Sequence, residues 1–338
     1  MKNILKVTGK EIQMGDVLKG KVAVVSGSGQ GIGRSIAIAL GGEGAKVVTN
    51  NRKPGSTGFV HLLPKHYEAL TQEQKDWVNK LTKEYNGDAE TTAKTIKERG
   101  GEATPFYGDI SDFETAGKLI QTAVDSYGKI DILVNVAGAF GFSNIWEMSR
   151  ELWDHVVPIK PGGYFNTIRH ATPHMMEQKW GRIINCTSLS WIGDSLNHAE
   201  YASANAGVVG LTRAAASELY EYGITCNAFS PFARTRASFE LIAYNMAVLG
   251  ADARQSLEMT PHPDGIGPMI VYLASDEAAH ISGSCFSISG TSVGLYSKPE
   301  TIASISEPEG GQWTVEEMMK RAPGIFEGYE TQVVKRMR

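Results

Sequence analysis

Ser188 and Tyr201 lie thirteen residues apart, the serine closing a short strand-like run and the tyrosine opening a helical pattern. Reduction of a carbonyl needs a donor that protonates the emerging alkoxide and a second hydrogen bond that orients the carbonyl oxygen. A phenol and a hydroxyl at the ends of neighbouring elements meet both needs. A phenol with a pKa of roughly 10 is a poor base at neutral pH, so the pair also requires a cation close by. One helical turn beyond Tyr201 stands Asn205, which hydrogen bonds but carries no charge.

Such chemistry also needs a hydride carrier, and Ser26-Gly27-Ser28-Gly29-Gln30-Gly31-Ile32-Gly33 has the form of a carrier site. The run joins a β-branched stretch to a helical pattern beginning near Gly31. Glycines there permit a tight turn, and free amides at the helix start can bind a pyrophosphate. In doubly wound folds an acidic residue at the end of strand two holds the adenine ribose and selects NAD. This chain has Asn51, Arg52 and Lys53 instead. Asn51 removes the charge that would repel a ribose phosphate, and Arg52 can pair with that phosphate through two parallel hydrogen bonds. The reading favours NADP(H), with NAD(H) as the alternative.

The elements that must position these groups alternate between short β-branched runs and helical patterns. That alternation predicts a Rossmann-type α/β fold, a doubly wound parallel sheet covered on both faces. Strands are predicted at 22–26, 46–50, 103–107, 130–136, 182–186, 225–229 and 284–288, with a long helical region at 149–179 and another at 201–220. Residues 53–87 interrupt the rhythm with Pro54, Pro64 and Trp77 and read as an insertion. Residues 237–260, with an apolar face including Phe239, Leu241 and Met246, read as a mobile substrate lid. The organisation is an N-terminal segment at 1–17, a single domain at 18–292 and a C-terminal extension at 293–338.

The glycine spacing, Asp109-Ile110 after the third strand, Asn135-Val136-Ala137-Gly138 after the fourth, and Ser188 with Tyr201 together resemble the short-chain dehydrogenase/reductase family. The resemblance implies Tyr201 as acid/base, Ser188 as the carbonyl-orienting group, and Asp109 and Ile110 at the adenine. It places Asn135, Ala137 and Gly138 along the cofactor, and Pro231 and Thr235 beside the nicotinamide. Members of the family carry a lysine where Asn205 stands. Matching Trp153-Asp154-His155-Val156 and Gly163-Tyr164-Phe165 to the family puts Lys160 on its usual asparagine, so the two residues look exchanged. Pro161 lacks an amide hydrogen and frees the Val157 carbonyl, which predicts a helix break beside Lys160. On this reading Lys160 supplies the missing charge and Asn205 supports a relay water or the cofactor ribose. A unit charge pair at an effective dielectric of 20 is worth roughly 4 kcal/mol at about 4 Å and roughly 2.8 kcal/mol at about 6 Å.

Residues 231–236 and 295–299 are similar to the dehydrogenase domain of D-specific multifunctional β-oxidation enzymes, which raises a 3-hydroxyacyl thioester as an alternative substrate. The exchanged pair and the insertion put an apolar, aromatic or alicyclic ketone or secondary alcohol first. Lyase or isomerase chemistry through Tyr201, or a catalytically silent nucleotide-binding protein, are further alternatives. Members of the family are commonly dimers or tetramers, so the resemblance implies a homo-oligomer.

The totals narrow the field. A formal net charge of -4 with no Lys/Arg-rich run gives nothing to attract a phosphate backbone, so nucleic acid is not an expected partner. Cys186, Cys226 and Cys285 lack disulfide-framework or metal-ligand spacing, and no metal is expected. No stretch approaches eighteen apolar residues, and the expectation is a cytoplasmic enzyme without a membrane partner. Phe140, Phe142, Trp146, Trp191 and Phe232 fall in loops beyond strand ends and are the expected walls of a small-molecule pocket.

Overall fold

Val22–Ser26 (β1) is a run of five buried residues, the pattern of a strand covered on both faces. It pairs in parallel with Lys46–Asn51 (β2) on one side and Ile132–Asn135 (β4) on the other, and Glu102–Tyr107 (β3) pairs with β2. Gly181–Cys186 (β5), Ile224–Phe232 (β6) and Cys285–Ser289 (β7) continue the parallel sheet beyond β4. Val293–Leu295 (β8) closes that edge antiparallel to β7, an addition to the seven strands expected from the sequence. The spatial order is β3-β2-β1-β4-β5-β6-β7-β8, so the order of strand addition reverses between β1 and β4 while the strands stay parallel. Open α/β sheets bind ligands in the crevice that such a reversal leaves at the carboxyl ends of the strands.

This is a computed structural model; it describes residues 5–7, 10–12, 15–55, 64–193, 197–306 and 312–326. Leu5–Val7 and Lys10–Ile12 form a small antiparallel pair. The chain divides into two compact units, 1–295 and 296–338. The second holds Val315–Arg321, a helix whose first turn is closed by a capping box between Thr314 and Glu317. β8 therefore falls in the first unit.

Alternation along the strands feeds two apolar layers. Val25, Val47, Ile184 and Phe229 face Ile36 and Leu40 of Gly31–Gly42 (α1), and Val24, Leu133 and Ile183 face the opposite layer. Ala89–Glu98 (α4) adds Ala93 and Ile96 to the first layer, and Phe113–Tyr127 (α5), Gly163–Gln178 (α7) and Ala199–Leu219 (α8) supply Leu119, Tyr164, Ile168 and Val208 to the second. The helical region expected at 149–179 is divided. Arg150–Val156 (α6) ends before a π-helical turn at Pro158–Gly162, and α7 begins at Gly163. The break falls at the two prolines, as the missing amide hydrogen of Pro161 requires.

The insertion is structured. It contains Pro64–Glu68 (α2) and Gln72–Glu84 (α3), the latter opened by a capping box between Thr71 and Gln74. Leu70, Val78 and Leu81 form a third apolar cluster with Phe239, Ile242, Ala243 and Met246 of Arg236–Leu249 (α9) and with Leu257. The apolar stripe of α9 thus runs 239, 242, 243, 246; Leu241 lies off it and is exposed.

Candidate active site

A cleft of about 380 Å³ opens at the carboxyl ends of β1 and β4. Its floor is the glycine-rich turn. Gly27 has φ +65°, and a Cβ there would lie 2.6 Å from the Ala137 backbone; Gly31 has φ +54° at the start of α1. Side chains at these two positions would strain the turn or fill the close approach to β4. The cleft is lined by Gly27, Gln30, Gly31, Ile32, Gly33, Asn51, Arg52, Asp109, Ile110, Ala137, Gly138, Pro231 and Thr235, which is most of the expected cofactor set. Ser28 and Asn135 stand behind the wall. The Ser28 hydroxyl donates to the Val25 carbonyl and accepts from the Asn50 amide, both at 2.8 Å. Asn135 accepts from Thr167 Oγ1 at 2.9 Å and donates to Asn185 at 3.0 Å, pinning β4 to its neighbours. These two residues shape the turn from beneath.

Ser188, Tyr201 and Lys160 all line the same cleft. Ser188 caps a short 3-10 turn at the end of β5, and Tyr201 sits in the first turn of α8. Lys160, on the π-helical turn, is only 3% exposed. Its Nζ donates to the Cys186 carbonyl at 2.7 Å and lies 5.7 Å from the centroid of the Tyr201 ring. Gly138 makes room for the lysine stem, since a Cβ there would stand 2.9 Å from Lys160 Cε. The Cys186 carbonyl also accepts from the Tyr164 hydroxyl at 3.3 Å, and burial raises that phenol well above its usual range. Asn205 does not reach the cleft wall. It is fully buried, and its Nδ2 donates at 2.8 Å to the Tyr201 carbonyl one turn earlier. Thr187 Oγ1 donates to the Asn205 carbonyl at 3.0 Å and ties α8 to the end of β5.

Of the five expected aromatic walls, Phe140 alone lines the cleft. Its ring is 5.6 Å from that of Tyr201. Phe142 continues the aromatic surface outward, 4.6 Å from His198 and stacked at 4.7 Å on Tyr244 of α9. Trp146 and Phe232 are 71% and 62% exposed and stand outside the cleft; Trp146 lies on a surface loop, whereas Phe232 is not in a loop as expected but is the last residue of β6. Trp191 is outside it as well, 6.0 Å from the Arg213 guanidinium.

Three ionisable residues in the lining were missed by sequence reasoning: His155, Arg236 and Glu240. His155 feels both Arg52 and Asp109; burial pushes its pKa down, the arginine adds to that and the aspartate opposes it. Nothing local in the sequence marks it. Arg236 and Glu240 were legible in principle, as an i,i+4 pair whose glutamate adjoins the apolar stripe of α9.

The groups present fit a dinucleotide. A positive-φ glycine turn approaches the neighbouring strand too closely for side chains, it opens onto a helix N-terminus, and the buried Gln30 Oε1 beside it has no partner. A model of the family described as enoyl-(acyl carrier protein) reductase matches residues 79–290. The 3-oxoacyl-[acyl-carrier-protein] reductase FabG of Staphylococcus epidermidis is 31% identical over 281 residues, covering 82% of this chain and 99% of that protein. The chain belongs to the short-chain dehydrogenase/reductase family. A short-chain type dehydrogenase/reductase of Mycobacterium tuberculosis is 29% identical over 259 residues, 77% of this chain and 79% of that one. The crystal structure of a short chain dehydrogenase from Mycobacterium avium superposes with a TM-score of 0.70 at 28% identity, covering 92% of this chain and 96% of that one. The chain is accordingly an oxidoreductase acting on CH–OH and C=O groups with a nicotinamide nucleotide. No helix among the described residues is long and apolar enough to cross a membrane.

Proposed function

We propose that this short-chain dehydrogenase/reductase transfers hydride reversibly between NADP(H) and an apolar or aromatic ketone or secondary alcohol, with Lys160 acting as the cation beside Tyr201. The observation that carries this reading is the buried ammonium of Lys160, 5.7 Å from the Tyr201 ring on the wall that Ser188 also lines. Bound in the cleft, the nicotinamide supplies or accepts the hydride. Ser188 donates a hydrogen bond to the carbonyl oxygen, and Tyr201 gives that oxygen its proton in reduction or removes it in oxidation. The ammonium opposes the negative charge left on the phenol oxygen. At an effective dielectric of 20 such a charge pair is worth roughly 4 kcal/mol at about 4 Å and roughly 2.8 kcal/mol at about 6 Å. Asn205 acts through the tyrosine's own backbone, by holding its carbonyl.

The preference for NADP(H) is supported by Arg52 in the cleft wall next to Asn51, where no carboxylate meets the ribose. The preference for an aromatic or apolar substrate is supported by the surface of Phe140, Phe142, His198 and Tyr244 leading away from Tyr201. A second reading, a 3-hydroxyacyl thioester, is favoured by the staphylococcal relative, whose name gives it a 3-oxoacyl substrate. Exposed faces on α7 and α8 support a homodimer or homotetramer. The test follows absorbance at the reduced nicotinamide band while NADPH and NADH are offered with aromatic ketones and with 3-oxoacyl thioesters. Faster oxidation of NADPH by ketones supports the proposal. Faster turnover of thioesters installs the second reading, and binding without oxidation of either cofactor defeats both.

A further inference from the structure

Arg236 opens α9, the end of a helix at which a cation is disfavoured by the macrodipole. Its side chain is nevertheless mostly buried, 12% exposed, and its Nε donates to Glu240 Oε1 at 2.6 Å, with the glutamate 4% exposed. Burying two charges is costly, and only part of this guanidinium is satisfied: Nη1 is buried and without a hydrogen-bond partner. An arginine could have stayed solvated at the surface, so the arrangement calls for an anion.

The place of the pair says which anion. Thr235, the residue before Arg236, lies directly over the glycine turn, its Cγ2 3.5 Å from where a Gly31 Cβ would be. Arg236 and Glu240 line the same cleft as Gly31 and Gln30, above the start of α1. Fixed amides at that helix start favour the pyrophosphate, and Arg236 lines the same cleft from the start of α9. The insertion keeps it there. Phe239, three residues further along the helix, is fully buried with its ring 6.2 Å from Trp77 and 5.8 Å from Tyr85, and Arg254 pairs with Glu73 at 2.9 Å.

We propose that Arg236, aimed by Glu240 and held in place by α3 of the insertion, clamps the diphosphate of the bound dinucleotide from the α9 side. This rests on the cleft being the cofactor site but not on the choice between NADP and NAD. The diphosphate is common to both, whereas the ribose phosphate assigned to Arg52 belongs to one.

Binding of NADPH, NADH and adenosine 2′-phosphate is to be titrated by fluorescence or calorimetry against Arg236→Met, Glu240→Gln and Arg52→Met. Arg236→Met should weaken both dinucleotides by the same factor, about 10- to 100-fold for a lost charge-assisted bond, and leave adenosine 2′-phosphate unchanged. Glu240→Gln keeps an acceptor oxygen to aim the guanidinium while removing the carboxylate charge that competes for it, and should leave the dinucleotides bound as tightly or more tightly. Unchanged dinucleotide affinity in Arg236→Met overturns the proposal. So does equal weakening by Arg236→Met and Glu240→Gln, which makes the pair a structural strut. An Arg52→Met variant should bind NADPH more weakly while NADH is unaffected; one that leaves the ratio of the two affinities unchanged overturns only the NADP preference.

Discussion

On the proposed reading Lys160 carries the charge that the family resemblance assigns to position 205, and the two residues separate cleanly by what their side chains touch. The ammonium lies against the Tyr201 ring, while the Asn205 amide is turned back onto its own helix. Replacing Lys160 with methionine keeps much of the stem volume and removes the charge, which should lower kcat at neutral pH by about a hundredfold if roughly 2.8 kcal/mol is lost. In alcohol oxidation, where Tyr201 takes the proton, the loss should shrink as pH rises, because hydroxide does by mass action what the cation did by attraction. Asn205→Ala should lower activity modestly without reshaping the pH–rate profile. An unchanged profile in Lys160→Met would end the assignment. A second residue-scale expectation concerns Glu200, buried directly before the catalytic tyrosine. Its Oε1 accepts from the Gly141 amide at 3.0 Å. Burial holds this carboxyl above the usual glutamate range, with hydrogen bonding to the Gly141, Glu200 and Tyr201 amides opposing. A raised native pKa means that the folded state binds more protons than the unfolded one, so stability is lost as pH rises through the native value. Glu200→Gln removes that dependence. Its melting temperature should exceed the parent's at pH 8, and the gap should close as pH falls toward about 4.3, the ordinary glutamate value. A gap that stays constant across that range would mean the carboxyl titrates normally.

At the scale of elements, the parallel sheet and the cofactor turn were legible because each is encoded locally, by β-branched runs and by glycines that only a tight turn requires. The helix break at 158–162 was legible for the same reason, since proline chemistry acts within one turn. The eighth strand was not, because Val293–Leu295 is too short and exposed to carry a pattern and is fixed only by its pairing with β7. The partner of α9 was hidden too. A stripe such as Phe239, Ile242, Ala243 and Met246 says that a face is covered but not by what, and here the cover comes from α3, far away in sequence. The aromatic loop residues divide on the same ground: Phe140 enters the cleft and Trp146 does not, which depends on loop paths that no periodicity encodes. The contact of α3 with α9 gives an element-scale prediction. Leu81→Ala removes a buried side chain from that cluster and should cost about 2–5 kcal/mol of local stability. Hydrogen exchange should quicken in α9 and α3 while the amides of β1, β4 and β5 stay protected, since those strands belong to the other two apolar clusters. Uniform acceleration across the sheet would show that the insertion and α9 do not open as a separate unit.

At the scale of the whole molecule, the outer face of α8 is unlike the rest of the surface. Ser203, Ala206, Gly210, Ala214 and Ser217 recur at helical spacing and are all exposed, and on the neighbouring α7 the Phe165 ring is 49% exposed. Small side chains let a second backbone approach closely, and an exposed ring gives that approach an apolar contact. Two copies meeting through such a face would be related by a twofold axis, so any substitution on it enters the interface twice. A stable pair needs roughly 800 Å² from each partner, which two adjacent helices of this length can supply. Light scattering should therefore give the mass of a dimer or tetramer for the parent. Ala214→Arg, a change at an exposed position outside the cleft, should shift that mass toward the monomer by placing two like charges face to face. A parent that is monomeric at micromolar concentration would overturn the oligomer. A variant that keeps the parent's mass would instead move the interface off α8, leaving Phe165 and the other exposed apolar groups to be tested in the same way.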